Sequence, residues 1–155
     1  MRTISKKVQY SLRALYALSE SCGEGPVLIS KLSDREHIPL KFLEAILLEL
    51  KGMGFVESKK GRGGGYQLSR EPKDITIGSI IRAIDGPLAP LPCASETAYR
   101  PCETCGDVRT CGTRIIMRQV RDATAKILDG TTLADVVNMT QMERQQVPGY
   151  VDFQI

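Results

Sequence analysis

The chain has 155 residues, a net charge of +3, 42% hydrophobic residues and 25% charged residues, which is typical of one soluble domain with or without a small extension. No apolar run approaches a membrane span and no apolar stretch follows the charged start, so these features argue against membrane and secreted classes and we expect a cytoplasmic protein without membrane contact. Residues 1–73 carry 13 Lys and Arg against 8 Asp and Glu, whereas residues 74–155 carry 8 against 10, so an anionic partner is expected to meet the first part.

The first third of the chain predicts three helices. Apolar residues at helical spacing predict a helix over 5–21, which Ser5 can cap, and a short helix over 28–37. Pro39 suits the first turn of a third helix that runs to about Met53. The inward face predicted for this third helix consists of Phe42, Leu43, Ile46, Leu47 and Leu50. Two short helices with a tight break between them, after a longer first helix, indicate a helix-turn-helix.

A basic glycine turn follows the third helix. Residues 55–58 and 66–68 are strand-like, and between them stands KKGRGGG, residues 59–65. Helices followed by a hairpin with a basic tip describe a winged helix, which we place in residues 1–73 as a DNA-binding domain.

Several side chains in this part are candidate DNA contacts. Lys41 and Glu44 lie one turn apart on the third helix, where Lys can donate to guanine acceptors and Glu can accept from the cytosine amino group. The plain alternative is a solvated surface pair. Lys59, Lys60 and Arg62 share the hairpin tip and fit backbone or minor-groove contact, although an ordinary exposed turn would also hold them. Lys7 and Tyr10 of the first helix complete the predicted DNA-binding set.

The second half predicts a linker helix over 74–85, a proline-rich lead and the longest helix over 113–128. An apolar stripe on the long helix comprises Ile116, Val120, Ala123 and Ile127, with Arg114, Arg118, Arg121 and Lys126 expected to be solvated around it. The three-four spacing of the stripe suits a dimer seam, and packing on its own domain is an equally weighted alternative.

The end of the chain predicts a short last helix after Thr132 and a mobile polar tail over 138–155. Residues 74–137 thus form a second unit that holds the linker helix, a cysteine-rich loop over 91–112 and a dimerisation helix. The expected fold class is mainly α with a small β-hairpin wing: a winged helix-turn-helix plus a long C-terminal dimerisation helix.

Four of the five cysteines lie in the loop: Cys93, Cys102, Cys105 and Cys111. So few apolar residues accompany them that the loop cannot be ordered by a core, and something must bind the sulfurs if it is to be ordered. In a reducing compartment, clustered cysteines favour metal over disulfide. On spacing, an iron–sulfur cluster leads, structural zinc is the main competitor, and a redox C-x-x-C pair would leave Cys93 and Cys111 unexplained. Cys22 is expected to be a small buried residue.

The sequence offers little evidence that the protein is an enzyme. The chain has no constellation of His, Ser or paired carboxylates that indicates a substrate site. We predict no catalytic residue, although a redox or electron-transfer protein that uses the cysteines remains the alternative class.

The chain resembles the Rrf2 family of bacterial winged-helix regulators. The resemblance is carried by residues 39–44 (PLKFLE), 63–68 (GGGYQL), 75–78 (ITIG) and 132–135 (TLAD), together with the Met-Arg-Thr start, Tyr10 and the cysteine loop. It implies a homodimer joined through the long helix, a recognition helix over 39–53 and a palindromic double-stranded DNA operator. It also implies a role in sequence recognition for Glu44 and for a cation at position 60.

The resemblance also implies cluster ligands. Cys93, Cys105 and Cys111 match the three cysteines of IscR-type members. Arg114 stands where those members use histidine, and Val8 stands where NsrR-type members use a carboxylate, so Cys102 is the natural fourth ligand of a [2Fe-2S] or [4Fe-4S] cluster. The resulting hypothesis is a regulator whose operator binding follows the state of an iron–sulfur cluster, with a zinc-binding or metal-free regulator as the alternative.

Overall fold

The computed structural model of the protein describes residues 4–146, and in this range the chain forms six α-helices and one two-stranded sheet. The helices are α1 (Lys6–Glu20), α2 (Ile29–Glu36), α3 (Leu40–Gly52), α4 (Ile77–Asp85), α5 (Gly112–Asp129) and α6 (Leu133–Gln146). The strands are β1 (Val56–Lys59) and β2 (Gly65–Leu68), and short 3₁₀ turns lie at Pro72–Asp74 and Pro92–Ala94. None of the helices in residues 4–146 combines the length and the hydropathy that a membrane span requires.

The order of these elements confirms the predicted fold class. The Ser5 hydroxyl accepts a hydrogen bond from the Val8 N–H at 3.1 Å, so α1 begins at the predicted cap. The two strands pair antiparallel, with Val56 opposite Leu68 and Lys59 opposite Gly65. The chain is therefore a helix-turn-helix followed by a hairpin wing, with the long α5 beyond it.

One apolar core joins the elements around α1, which packs against α2, α3, α4, α6 and the wing. The start of α6 is tied to the start of α4, because the Leu133 N–H donates to the Ile75 carbonyl and the Ile77 N–H donates to the Thr131 carbonyl, both at 2.9 Å. The core therefore continues across residue 73, and the division predicted there stays a prediction.

Two predictions about this part of the fold are wrong. Phe42 was expected to face inward, but it is 41% exposed and makes a T-shaped contact with the Tyr10 ring, with 5.5 Å between the ring centres. The last helix continues to Gln146, so helical structure replaces the first half of the predicted tail; residues 147–155 lie outside the described range. The prediction for Phe42 failed because four other apolar residues of α3 already fill the contact of this helix with the core, which the helical pattern alone does not reveal.

The apolar stripe of α5 is exposed within the described chain. Ile116 and Ile127 are 48% and 66% exposed, and Val120 and Ala123 are exposed as well. The alternative in which this stripe packs on its own domain is therefore wrong. The opposite side of α5 contacts α4 and the Pro92–Ala94 turn.

Gly65 seats the base of the wing against the loop before α2. Its φ is +149°, and a Cβ on it would lie 2.9 Å from the Leu28 nitrogen and closer still to the Val27 carbonyl. The Val27 and Tyr66 backbones exchange two hydrogen bonds of 2.8 Å beside it. The wing can therefore approach this loop only if position 65 has no side chain.

We expect Gly65→Ala to lower the free energy of unfolding by about 1 to 3 kcal/mol, because the new Cβ strains the backbone and forces the two chains apart. Urea denaturation followed by circular dichroism measures this. Gly52→Ala is the matched control: nothing lies within 4 Å of a Cβ at that position, at the end of α3, so it should be neutral or slightly stabilising. Equal stability of the two variants would contradict this account of the wing.

A two-pronged ion pair joins α4 to the end of α5. Arg82 donates from Nη1 to Asp129 Oδ1 at 2.5 Å and from Nη2 to Oδ2 at 2.8 Å. The Arg82 hydrogen bonds hold the pKa of Asp129 below its ordinary value of 3.8. A carboxyl whose folded-state pKa is depressed stabilises the fold above its ordinary pKa, and this contribution is lost as the pH falls through the folded-state pKa.

Asp129→Asn should therefore destabilise the protein at pH 7 by less than about 1 kcal/mol, the range of exposed pairs. The difference from wild type should shrink as the pH falls below about 3.8, because the wild-type carboxyl then becomes neutral as well. Thermal melts across this pH range measure it, and a difference that grows toward acid would contradict the assigned sign.

Candidate DNA-binding surface and cysteine loop

The face of α3 that points away from the core carries the predicted recognition pair. Leu43, Ile46 and Leu47 are buried on the core side, whereas Lys41 and Glu44 are exposed. Within residues 4–146 neither the Lys41 ammonium nor the Glu44 carboxylate has an ion pair or a side-chain hydrogen bond. Both groups are therefore available to a partner that docks on this face.

The structure places the two predicted contacts of α1 in other interactions. The Lys7 ammonium lies 3.1 Å from the Glu49 carboxylate, an exposed ion pair that links α1 to α3. Tyr10 supports Phe42, and the Arg13 guanidinium lies 5.8 Å from the centre of the Tyr10 ring. These contacts orient α3, and direct contact of Lys7 and Tyr10 with DNA stays a prediction.

The predicted cations of the wing are all exposed at its tip. The strand pairing ends at Lys59 opposite Gly65, so Lys60 and Arg62 belong to the turn. Gly61 and Gly63 have φ values of +93° and +75°, which lets the turn reverse tightly. In the described range none of the three cations enters an ion pair, so their charge is free to meet an anion.

Three of the four loop cysteines lie together. The Sγ atoms of Cys105 and Cys111 are 3.6 Å apart, and the Cys102 and Cys105 thiols interact as well. Hydrogen bonds to Cys102, and then to Cys111, raise the pKa of Cys105 to about 12. The Thr104 hydroxyl lowers the pKa of Cys102, and the Arg114 N–H lowers that of Cys111. The pKa values of Cys102 and Cys111 are thus shifted toward the thiolate form in which cysteine binds metals, whereas the pKa of Cys105 is shifted away from it.

Cys93 differs from these three in its burial and in its thiol contacts within the described chain. It is only 6% exposed, inside the turn Pro92–Ala94, and its thiol has no hydrogen bond to another cysteine. Its backbone is linked to the loop by Arg114, whose Nε donates to the Cys93 carbonyl at 2.8 Å and whose Nη1 donates to the Val108 carbonyl at 3.4 Å. Arg114 therefore clamps the loop at two points.

Arg121 makes a second clamp, which the sequence did not reveal. It was expected to be solvated, but it is 8% exposed and donates to the Ala94 carbonyl at 2.6 Å. It also pairs with Glu96 at 3.0 Å. Seven residues, close to two helical turns, separate it from Arg114, so both reach the loop from one side of α5. The seven-residue spacing of two arginines on the side opposite the apolar stripe is the sequence signal that could have predicted this contact.

The four thiols fit an iron–sulfur cluster by their chemistry, because cysteine thiolates are the usual ligands of such clusters. The adjacency of Cys102, Cys105 and Cys111 agrees with this. As arranged, no group of three or more His, Cys, Asp and Glu side chains within residues 4–146 forms a ready metal site. The ligand set of Cys93, Cys102, Cys105 and Cys111 therefore stays a prediction.

The prediction that Cys22 is buried is also wrong. It is exposed just beyond the end of α1. Its place in the turn, rather than on the inner face of α1, explains the exposure. It is thus a thiol outside the loop.

The helix-turn-helix, the basic wing and the free polar face of α3 define a winged-helix DNA-binding regulator. The family model described as "Rrf2: Iron-dependent Transcriptional regulator" matches residues 4–139. The chain belongs to this family of transcriptional regulators, which are not enzymes.

Relatives and solved structures agree with this assignment. An rrf2-like HTH-type transcriptional regulator of Rhodobacter capsulatus is 40% identical over 137 residues, which is 86% of this chain and 91% of the relative. The structure of CymR, the global cysteine regulator of B. subtilis, aligns with a TM-score of 0.75 at 32% identity over 90% of this chain and 98% of that one. IscR from T. potens aligns with a TM-score of 0.74 at 30% identity over 96% and 95%.

Proposed function

We propose that the protein is a homodimeric regulator whose binding to a palindromic operator is controlled by an iron–sulfur cluster held by Cys93, Cys102, Cys105 and Cys111. The observation that carries the proposal is the contact of the Cys105 thiol with Cys102 and Cys111 in a loop that leads directly into α5. The family description as iron-dependent supports it. A bound cluster would supply iron–thiolate bonds that respond to iron supply, oxygen or nitric oxide.

The chain's own residues offer a route from the loop to DNA. The side chains of Arg114 and Arg121 extend from α5 and donate to loop carbonyls, so hydrogen bonds from charged groups couple the loop to this helix. The exposed stripe of α5 is the proposed seam with a second copy. A change in loop order would then alter how two copies meet, and half-site spacing depends on that geometry.

A metal-free regulator is the second candidate, and a different observation favours it. The arginine clamps hold the start of the loop by bonds to backbone carbonyls, which require no metal. The chain is also 32% identical over 148 residues to CymR of Bacillus subtilis, which is described as a global cysteine regulator. In this version the loop responds to a small molecule or a partner protein.

Anaerobic purification separates the candidates. We expect a coloured protein with iron and inorganic sulfide in stoichiometric amounts, and an affinity for duplexes selected with the loaded protein that falls after chelation. Stoichiometric zinc in colourless protein would overturn iron–sulfur control in favour of a structural metal. Colourless, metal-free protein that binds the same duplexes equally well would support the second candidate.

A further inference from the structure

The outward face of α3 carries Leu48, a large apolar side chain that the recognition pair does not explain. Leu48 is 69% exposed, the most exposed of the large hydrophobic residues in the described chain. A single exposed leucine needs no explanation on an ordinary surface. This one lies two turns after Lys41 and one turn after Glu44, on the helix that the fold presents to DNA.

The spacing puts Leu48 in the middle of that face. Residues 41, 44, 45 and 48 fall within one narrow sector of a helix with 3.6 residues per turn. Leu43, Ile46, Leu47 and Leu50 occupy the opposite sector and are buried. Homeodomains read bases in the major groove from four positions of one helix at the same successive spacings of three, one and three residues.

The chemistry of the major groove limits which groups Leu48 can contact favourably. Base edges in the major groove present donors, acceptors and one apolar group, the C5-methyl of thymine. A leucine against an acceptor or amino group would strip it of water without replacing the hydrogen bond. Against the methyl group it gains by burial.

We infer that Leu48 is a specificity-determining residue that contacts a thymine C5-methyl group in the major groove, with the exposed Ala45 leaving room beside it. Seven residues separate it from Lys41, roughly 10 Å along the helix axis, which corresponds to about three base-pair steps. The half-site therefore contains a thymine within about three base pairs of the base that Lys41 reads. The inference rests on operator binding by α3, and it is independent of iron–sulfur control.

The experiment begins with duplexes selected from a randomised library by the full-length protein at one salt concentration. In the best duplex, deoxyuridine replaces each half-site thymine in turn, which removes only the methyl group. We expect one position at which wild-type affinity falls about fourfold, the value expected for one buried methyl group. Because this uses the unaltered protein, it does not depend on how a variant folds.

Leu48→Ala then tests the assignment. It should bind the thymine and deoxyuridine duplexes within about twofold of each other, because the side chain that senses the methyl group is gone. Met142→Ala, a change at a similarly exposed residue of α6, should keep the wild-type discrimination.

Three results would overturn the inference. One is equal binding of every deoxyuridine duplex by wild type, and another is unchanged discrimination by Leu48→Ala. The third is a Leu48→Ala protein that keeps its base preference but dissociates as a dimer, since Leu48 would then contact a second copy. If operator affinity does not depend on iron but wild type still prefers thymine over deoxyuridine, the proposed iron–sulfur control is wrong and the inference about Leu48 stands.

Discussion

Cys105→Ala will purify without stoichiometric iron and sulfide from anaerobic cells and will lose the visible absorbance of wild type. Cys105 is chosen because its thiol contacts both Cys102 and Cys111. It is partly exposed, so its removal leaves the apolar core intact. If the cluster and operator are coupled as proposed, affinity for a duplex selected with loaded protein should fall by about 5- to 150-fold, the usual range of coupling between two sites.

Cys22→Ala is the matched control. It removes an exposed thiol outside the loop, so iron, sulfide, colour and duplex affinity should match wild type. Chelated wild type should bind like Cys105→Ala, because both lack the group that orders the loop. A Cys105→Ala protein with full iron and sulfide would exclude this residue as a ligand.

Ile127→Glu will convert the proposed dimer to a monomer and weaken binding to a two-half-site operator by at least about a hundredfold. Ile127 is among the most exposed members of the α5 stripe, so the new carboxylate does not disturb the folded chain. In a dimer it would be buried beside its own copy, where unpaired charges are costly. Without the dimer the second half-site no longer gains from being linked to the first.

Analytical ultracentrifugation measures the association, and fluorescence anisotropy with one-half-site and two-half-site duplexes measures the binding. Arg118→Glu puts the same carboxylate on the other side of α5, at a solvated position, and should remain dimeric. A dimeric Ile127→Glu protein would show that two copies meet elsewhere. Unchanged one-half-site binding would show that the winged helix itself is intact.

Sequence pattern predicted the local elements well because they depend on neighbours along the chain. The cap at Ser5 needs only the Val8 N–H three residues on, and the hairpin needs only strand-forming residues around a glycine-rich turn. The stripe of α5 followed from helical period in the same way. What covers a face is a separate question, which the period of one helix cannot answer.

The misses share that cause. Phe42 belongs to the apolar set of α3, but other residues fill the contact of α3 with the core, and Phe42 makes a T-shaped ring contact with Tyr10 instead. Arg121 reads as a surface cation until the chain around Ala94 folds over it. Helical spacing already left Leu48 outside the inward set of α3, but only the folded chain shows that no other segment covers it.

The sequence by itself determined the helix-turn-helix, the basic wing and a loop of four thiols between two helices, because composition and short-range spacing suffice for each. Only the tertiary structure decided that Cys102, Cys105 and Cys111 come together while Cys93 is buried, that two arginines of α5 clamp the loop, and that the α5 stripe is left exposed. The physical reason is that these features depend on contacts between segments distant in the chain, which form only when the common core around α1 brings those segments into place.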